Sequence, residues 1–441
     1  MGAEMRAGAG FTRWAVATAA HILPPGARAA PVFRPNGTAT RGRVLKISRL
    51  RQAQTLPRPA PAPLATRLPP IWLSASALTA AIAVVFGVQR WIEHFQTDPA
   101  AQDLSLHVVA ARVGLTHGWS HIYDAGLQKE AAAAVASRLV IDSMHVYVSP
   151  PPAAWMLAPF AYQPPAASYV VWTVLSLAMF IAAGWLLIPG PNFTRITVLL
   201  VSLALWPVHY ELWQGQTIMP TFALLGLSFW LIERDRWVLC GIAMAVAFCF
   251  KPQDALLVPV ALLVSGRWRP VAVFAGAGVL IALVFAATLG AAGIAGWLGD
   301  LSLIHADPRN APLTYSFFFG QGAFTSVVEI GLGIAALVLA WRRRSRLDLV
   351  FCLGLVGTTM SAAYLHEHDI TILVLGAWIV LRSRPSVVQR VWLLAGIAAA
   401  QVIAIGQPIP MLLWEPAWMI PLALEPRLST LVLQPREASA A

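Results

Sequence analysis

Residues 71–91 read IWLSASALTAAIAVVFGVQRW, with no ionisable side chain before Arg90. A helix needs about 20 apolar residues to cross the hydrocarbon core of a bilayer, and this stretch is long enough. Further apolar runs occur at 166–188, 195–211, 217–233, 237–250, 254–266, 270–290, 323–341, 347–364, 369–382, 387–406 and 409–424, which makes twelve candidate spans. Runs such as 237–250 and 369–382 are short and need a kink or help from neighbouring residues to cross. The composition agrees: 58% of the 441 residues are hydrophobic and 12% charged, against about 25% charged in ordinary soluble domains. Such a chain cannot cover itself with polar surface, so a water-soluble globular protein is excluded. The expected fold is an all-α polytopic integral membrane protein of about twelve transmembrane helices.

The charge is uneven. Residues 1–70 hold eleven basic residues, from Arg6 to Arg67, and one acid, Glu4, while the formal net charge of the whole chain is +11. The rest is nearly neutral, so no basic face for nucleic acid exists. Residues 1–69 are rich in Ala, Pro and Arg and show no period that would build a core, and they read as a disordered basic arm. Basic charge ahead of the first span predicts a cytoplasmic N-terminus. The apolar stretch Trp14 to Ala20 is too short for a signal peptide and is followed by Arg28, Arg34 and Arg41. Cys240, Cys249 and Cys352 sit inside apolar runs, which predicts inert buried thiols rather than a disulfide framework or a cysteine metal site.

The loops test the span count. Arg234 and Arg236, Arg267 and Arg269, Arg342 to Arg346, and Arg382 to Arg390 mark four short loops. With twelve spans and the N-terminus inside, all four face the cytoplasm, as does the tail 425–441 with Arg427 and Arg436. The apolar segment Ala153 to Tyr162, bounded by Pro150-Pro151-Pro152 and Pro164-Pro165, would break this parity if it crossed. It reads as a re-entrant or interfacial segment.

The long loops then fall outside. The first, 92–149, carries six acids, three bases and five histidines. The spacing predicts a helix over Asp103 to Gly118, with Asp103 and His107 on one face. Leu127, Ala131, Val135 and Leu139 predict an amphipathic helix within Asp124 to Asp142. Other outer elements are Gln214-Gly215-Gln216, Lys251-Pro252-Gln253, the loop 291–322 with Asp300, His305, Asp307 and Arg309, and Tyr364 to Asp369. Each polar group has a bland reading. Asp103 is a good helix N-cap, His107, His366 and His368 can be solvated, Lys251 can snorkel, and Asp369 can cap the next helix. Their gathering on one side favours function. The spacing of His366, His368 and Asp369 is not a standard metal motif, and no metal or cofactor is expected.

The order Asp103-Leu104-Ser105-Leu106-His107, Ala110-Ala111, Gly118 and Ile122-Tyr123-Asp124 resembles the first outer loop of glycosyltransferase family 87. Tyr147 to Pro152, Gly215-Gln216, Lys251 and Tyr364 to Asp369 continue that resemblance, which covers about residues 71–420. Two departures are Thr217-Ile218, where an asparagine often stands, and Ser361-Ala362-Ala363, which lacks the usual proline. The resemblance implies a GT-C-like transmembrane domain over 70–424 with no bound cofactor. It implies inverting transfer of a hexose, mannose or a close relative, from a polyprenyl-phosphate-sugar donor to a lipid-linked or glycan acceptor. It places the general base on Asp103 and substrate contacts on His107, Gln216, Lys251, His366, His368 and Asp369. A bacterial inner membrane with the site on the periplasmic side is the expected location. The rival classes are a transporter or flippase of a lipid-linked sugar, marked by inverted repeats and mid-depth charges, and a non-catalytic scaffold. No clear repeat is visible.

Overall fold

The computed structural model describes residues 70–97, 103–135, 139–142, 145–310 and 312–425. The basic arm 1–69 and the tail beyond residue 425 lie outside the described residues. Every regular element among the described residues is helical. In chain order they are α1 (Ile71–Thr97), α2 (Leu104–His117), α3 (Ala125–Val135), α4 (Pro151–Leu157), α5 (Pro165–Leu187), α6 (Asn192–Leu203), α7 (Trp206–Gln214), α8 (Ile218–Ile232) and α9 (Trp237–Phe248). There follow α10 (Leu257–Val264), α11 (Trp268–Ala306), α12 (Ser316–Phe319), α13 (Ala323–Arg342), α14 (Leu347–Met360), α15 (Thr371–Arg382), α16 (Val387–Val402) and α17 (Ile409–Leu424).

Helices α1, α5, α11, α13 and α16 with its continuation to Ile405 are long and apolar enough to cross a membrane. The run 195–211, read as one span, is two helices, α6 and α7, bent by 69°. Pro207 stands in the first turn of α7, where its missing N–H leaves no bond unmade. Counting that pair as one broken span gives six. Helices α8, α9, α14 and α17 and the segment Pro252–Val264 are apolar but shorter. Fourteen residues of α14 span about 21 Å against a core of about 30 Å. By length and composition the described helices supply five or six full crossings, with the shorter helices packed among them, rather than twelve full-length spans.

Two loop expectations also change. The outer loop 291–322 is largely helical, because α11 runs on to Ala306 through a break at Gly290 (φ 61°, ψ −176°). Within the segment expected as an amphipathic helix to Asp142, the described helix is Ala125–Val135, and Leu139 is not helical but lies in a cavity wall. The segment Ala153 to Tyr162 forms the seven-residue α4 and a short 3-10 turn, about 15 Å of rise and half of a bilayer core.

The main core is built by α5, α8, α9, α10, α13, α14, α15 and α17, with Phe180, Phe222, Phe351, Trp378 and Trp418 fully buried. Cys240, Cys249 and Cys352 are buried and unpaired, as expected. Helices α8, α9, α10, α14 and α15 share one polarity pattern. Each runs between an arginine-bearing loop at one end (Arg234, Arg236, Arg267, Arg346, Arg382) and a polar segment at the other (Gln216, Lys251, Tyr364 to Asp369). Carboxylates do occur inside helices: Glu211, Glu329 and Glu415 are buried.

The segments read from the sequence as outer form a second packed layer, here called the outer layer. Helix α2 is buried from Leu104 to Gly114 except at Arg112 and packs with Leu157, Tyr169 and Trp172 through Leu104 and Val108. Ala110, Ile122, Tyr123, Tyr147, Ala154 and Leu289 form a neighbouring cluster. Burial of such apolar area, at roughly 25 cal/mol per Å2, fixes the start of α2 against the bundle.

Candidate active site

A cavity of about 310 Å3 opens where the outer layer meets the polar ends of the bundle. Asp103, His107, Gln216, Lys251, His366 and His368 all line it. Asp369 lies directly behind Lys251. Residues drawn from four separate stretches of chain are thus brought together.

Asp103 precedes α2 at its N-cap position, but its backbone is helical (φ −58°, ψ −25°) and its side chain caps nothing. The bland capping reading therefore fails. Its Oδ2 instead accepts a 2.6 Å hydrogen bond from Gln216 Nε2. Gly215 makes this possible. It ends α7 in the left-handed region (φ 63°), and a Cβ there would stand 3.0 Å from Leu104 Cβ and 3.4 Å from the Tyr169 ring. Only glycine takes that backbone without strain and leaves room for α2 to approach. Helix α5 secures the turn: Tyr169 Oη donates to the Trp213 carbonyl at 2.5 Å and Trp172 Nε1 to that of Gln216 at 3.2 Å. The Trp213 carbonyl is one of the orphans that the C-terminus of α7 leaves, and that of Gln216 lies just past the glycine cap.

His107 is buried one turn along α2. Its Nδ1 lies 3.1 Å from the Asp103 carbonyl, and its Nε2 3.2 Å from Ser149 Oγ. The carbonyl only accepts, so Nδ1 donates and Nε2 accepts from the hydroxyl. The ring therefore steadies the backbone of Asp103, not its carboxylate as the shared face suggested; the carboxylate's partner is Gln216. Burial pushes His107 down to about 4, with only partial opposition from Asp103, so its ring is neutral at neutral pH.

The segment after α3 is clamped by three donors. Trp297 Nε1 binds the Val148 carbonyl at 2.8 Å, Tyr123 Oη that of Ser149 at 2.7 Å, and Tyr147 Oη that of Pro150 at 2.9 Å. Tyr123 and Tyr147 stack at 5.6 Å. An irregular strip of backbone is thereby held as one wall of the cavity.

The floor is charged and buried. Lys251 Nζ meets Asp369 Oδ1 at 2.5 Å, and both residues are buried. Asp369 Oδ2 accepts from the His366 backbone N–H at 2.8 Å, and Oδ1 lies 3.3 Å from His368 Nε2. Burial works against the Lys251 ammonium, but Asp369, Asp254 and Glu211 outweigh it and hold its pKa above the ordinary lysine value. Burial pushes His366 and His368 below the ordinary histidine value; Lys251 adds to this and Asp369 opposes it. Both act as neutral rings at neutral pH. The His366 and His368 rings stack at 5.4 Å, and Tyr210 stacks on His368 at 6.2 Å. Among the described residues, no three His, Cys, Asp or Glu side chains converge as metal ligands would.

The wall also holds residues that the sequence reading named or spanned without giving them a role, His145, Ser149, Gln214, Gln253, Arg309, Tyr364 and Glu367, and one that it passed over, Tyr210. Arg309 is held by Asp307 at 2.6 Å and Asp142 at 3.5 Å. Glu211 and Asp254, buried beside Lys251, were hidden inside apolar runs. Their signal was an acid within a hydrophobic stretch. Asp300, named earlier among outer polar groups, is buried in α11 and does not line the cavity.

The cavity combines a carboxylate held by one neutral amide with an ion-paired lysine and two neutral imidazoles across a small polar space. Such a set can accept a proton on one side and donate hydrogen bonds to an anion on the other. The sequence profile of glycosyltransferase family 87 matches residues 147–365, and the chain belongs to that family. The match holds Gly215, Gln216, Lys251 and Tyr364; Asp103, His107, His366, His368 and Asp369 fall outside it and join the site through the contacts above. No curated protein and no solved structure matches the chain significantly. The protein is thus a glycosyltransferase whose apolar helices suit a membrane.

Proposed function

We propose that this glycosyltransferase moves a hexose, mannose or a close relative, from a polyprenyl-phosphate-sugar donor to a hydroxyl of a lipid-linked or glycan acceptor. The carrying observation is that Asp103 and Lys251 line one cavity between the outer layer and the bundle. Asp103 takes the proton from the acceptor hydroxyl, whose oxygen attacks the anomeric carbon. The bond from that carbon to the phosphate oxygen breaks, and the polyprenyl phosphate leaves with the electron pair. A single displacement inverts the anomeric centre. Lys251 supplies positive charge near the departing phosphate, and His366 donates a hydrogen bond as a neutral ring rather than a cation. Asp369 holds Lys251, and His368 packs against both. Gln216 and His107 position Asp103.

The arginine loops at the far end of the bundle support a cytoplasmic assignment for that end. The cavity then works at the outer face, the periplasmic side of a bacterial inner membrane. Membranes carrying the protein, given radiolabelled polyprenyl-phosphate-mannose, should form a labelled lipid or glycan product with inverted configuration. Transfer from a nucleotide sugar alone, with no polyprenyl intermediate, would refute the donor class. Movement of the lipid-linked sugar between leaflets with no transfer would favour the flippase alternative.

A further inference from the structure

At the opposite end of the bundle, four loops converge on a second cavity of about 840 Å3. Its walls include Arg234, Arg267, Arg346 and Arg382, each from a different loop, against two carboxylates, Glu233 and Asp348. Arg346 is tied to Asp348 by bonds of 3.0 and 2.7 Å, and Arg382 reaches Glu233 at 3.1 Å. Arg234 lies over the Trp230 ring at 3.8 Å and donates to the Trp230 carbonyl, leaving Glu233 at 3.9 Å. Arg267 donates to Ser265 Oγ at 2.8 Å. Nearby Glu425 is not in the wall; it accepts from the backbone and hydroxyl of Ser386. The wall thus carries two more guanidiniums than carboxylates.

A second observation fixes the depth of this cavity. Trp237, Trp268 and Trp341 are exposed at the arginine-bearing ends of their helices, and Arg195 lies 5.6 Å over the ring of exposed Trp185 at the end of α5. Exposed tryptophans at one level mark the interface between headgroups and acyl chains. Phe229, Ile232, Leu347 and Ile379 add apolar wall beside the arginines. A soluble anion would gain nothing from that apolar side, whereas a lipid phosphate arrives at this depth with acyl chains attached. Guanidiniums bind phosphate oxygens in pairs, and basic pockets between transmembrane helices suit acidic headgroups.

We propose that this cavity is a binding site for the phosphodiester headgroup of an acidic phospholipid, with Arg234 and Arg267 as the principal phosphate contacts. The proposal needs this end of the bundle to sit at a membrane surface; it does not depend on the transfer reaction or on its donor. The test is lipid retention by the full chain, purified in neutral detergent and titrated with phosphatidylglycerol or phosphatidylcholine, read by native mass spectrometry. Phosphatidylglycerol should be retained about tenfold more tightly, the scale of one or two charge-assisted hydrogen bonds. The double variant Arg234→Gln/Arg267→Gln should lose that preference. The double variant Arg343→Gln/Arg344→Gln, which removes the same charge outside the cavity, should keep it. Melting temperature and transferase activity report folding, and Arg267→Gln alone, with a several-fold loss, serves if the double variant does not fold. Equal retention of both lipids would overturn the proposal, as would an equal loss in the Arg343/Arg344 variant. Displacement of the lipid by millimolar inorganic phosphate would assign the site to the free ion instead.

Discussion

Gln216 Nε2 donates to Asp103 Oδ2 across 2.6 Å, joining residues 113 positions apart. This bond fixes where the carboxylate points, and it lies across the contact between the outer layer and the bundle. If Asp103 is the general base, Asp103→Asn keeps size and can still accept from Gln216. Because the Asp103 side chain caps no helix, folding should be unchanged. Transfer should fall by about 10²-fold or more, measured on membranes with equal amounts of folded protein. Near-normal transfer would move the search to Asp98, which lies outside the described residues, or to Asp369.

The same contact gives a second handle. Gln216→Glu places a second carboxylate at hydrogen-bond distance from Asp103, and two adjacent carboxylates resist joint ionisation. The acid limb of the rate–pH profile should move to higher pH in this variant, with kcat affected more than KM. An unmoved profile would mean that Gln216 does not address the base.

Gly215→Ala should be damaging although it adds one methyl group. The residue sits at φ 63°, and the new Cβ would press on Leu104. A loss of about 1–2 kcal/mol is expected from the backbone strain alone, with lower transfer as Gln216 shifts. Unaltered melting and activity would show that α2 and α7 need not approach so closely.

His107 makes stability depend on pH. Its folded pKa of about 4 lies below the ordinary 6.5, so the unfolded chain binds more protons between these values. The His107 contribution is intact above pH 6.5, falls as pH drops, and is fully lost below about 4. Between pH 7 and pH 5 the loss should be about 2 kcal/mol. Thermal melting in detergent should show it, and His107→Gln should flatten the curve over this window. An equally steep curve in the variant would exclude His107 as its source.

Sidedness is testable because the native cysteines are buried and give little background. A cysteine placed beside Asp124 should react with an impermeant reagent from outside, and one beside Ser345 should not. The reverse pattern would put the cavity on the cytoplasmic face.

Much of the site could be read from sequence, and the reasons are local. Asp103 to Gly118 was expected as a helix and Leu104–His117 is one, because a glycine end and an apolar face are short-range signals. Gly215-Gln216 and Lys251 were found as polar marks at the ends of apolar runs. What the sequence did not reveal was long-range. Nothing near Asp103 indicates that its partner is Gln216 rather than His107. The bend between α6 and α7 was averaged away by hydropathy, although Pro207 marked it. The continuation of α11 past Gly290 was obscured by Asp300 and His305, polar residues that read as loop. Glu211 and Asp254 were overlooked because an isolated acid barely changes an apolar window.

The pairing of Lys251 with Asp369 spans 118 residues and has a consequence for biogenesis. A chain leaves the ribosome N-terminus first, so Lys251 is made while its counter-ion is still unsynthesised. Glu211 and Asp254 stand beside Lys251 before then, but Asp369 is the partner bonded to it. An ammonium without its bonded partner is costly to bury, so the floor of the cavity closes fully only once the segment carrying Asp369 is inserted. Nascent chains that stop before residue 369 should therefore carry an open, hydrated Lys251 and no working site, and quality-control proteases would meet them as unfinished. If this cavity is the proposed active site, catalytic competence is a late event, coupled to completion of the bundle.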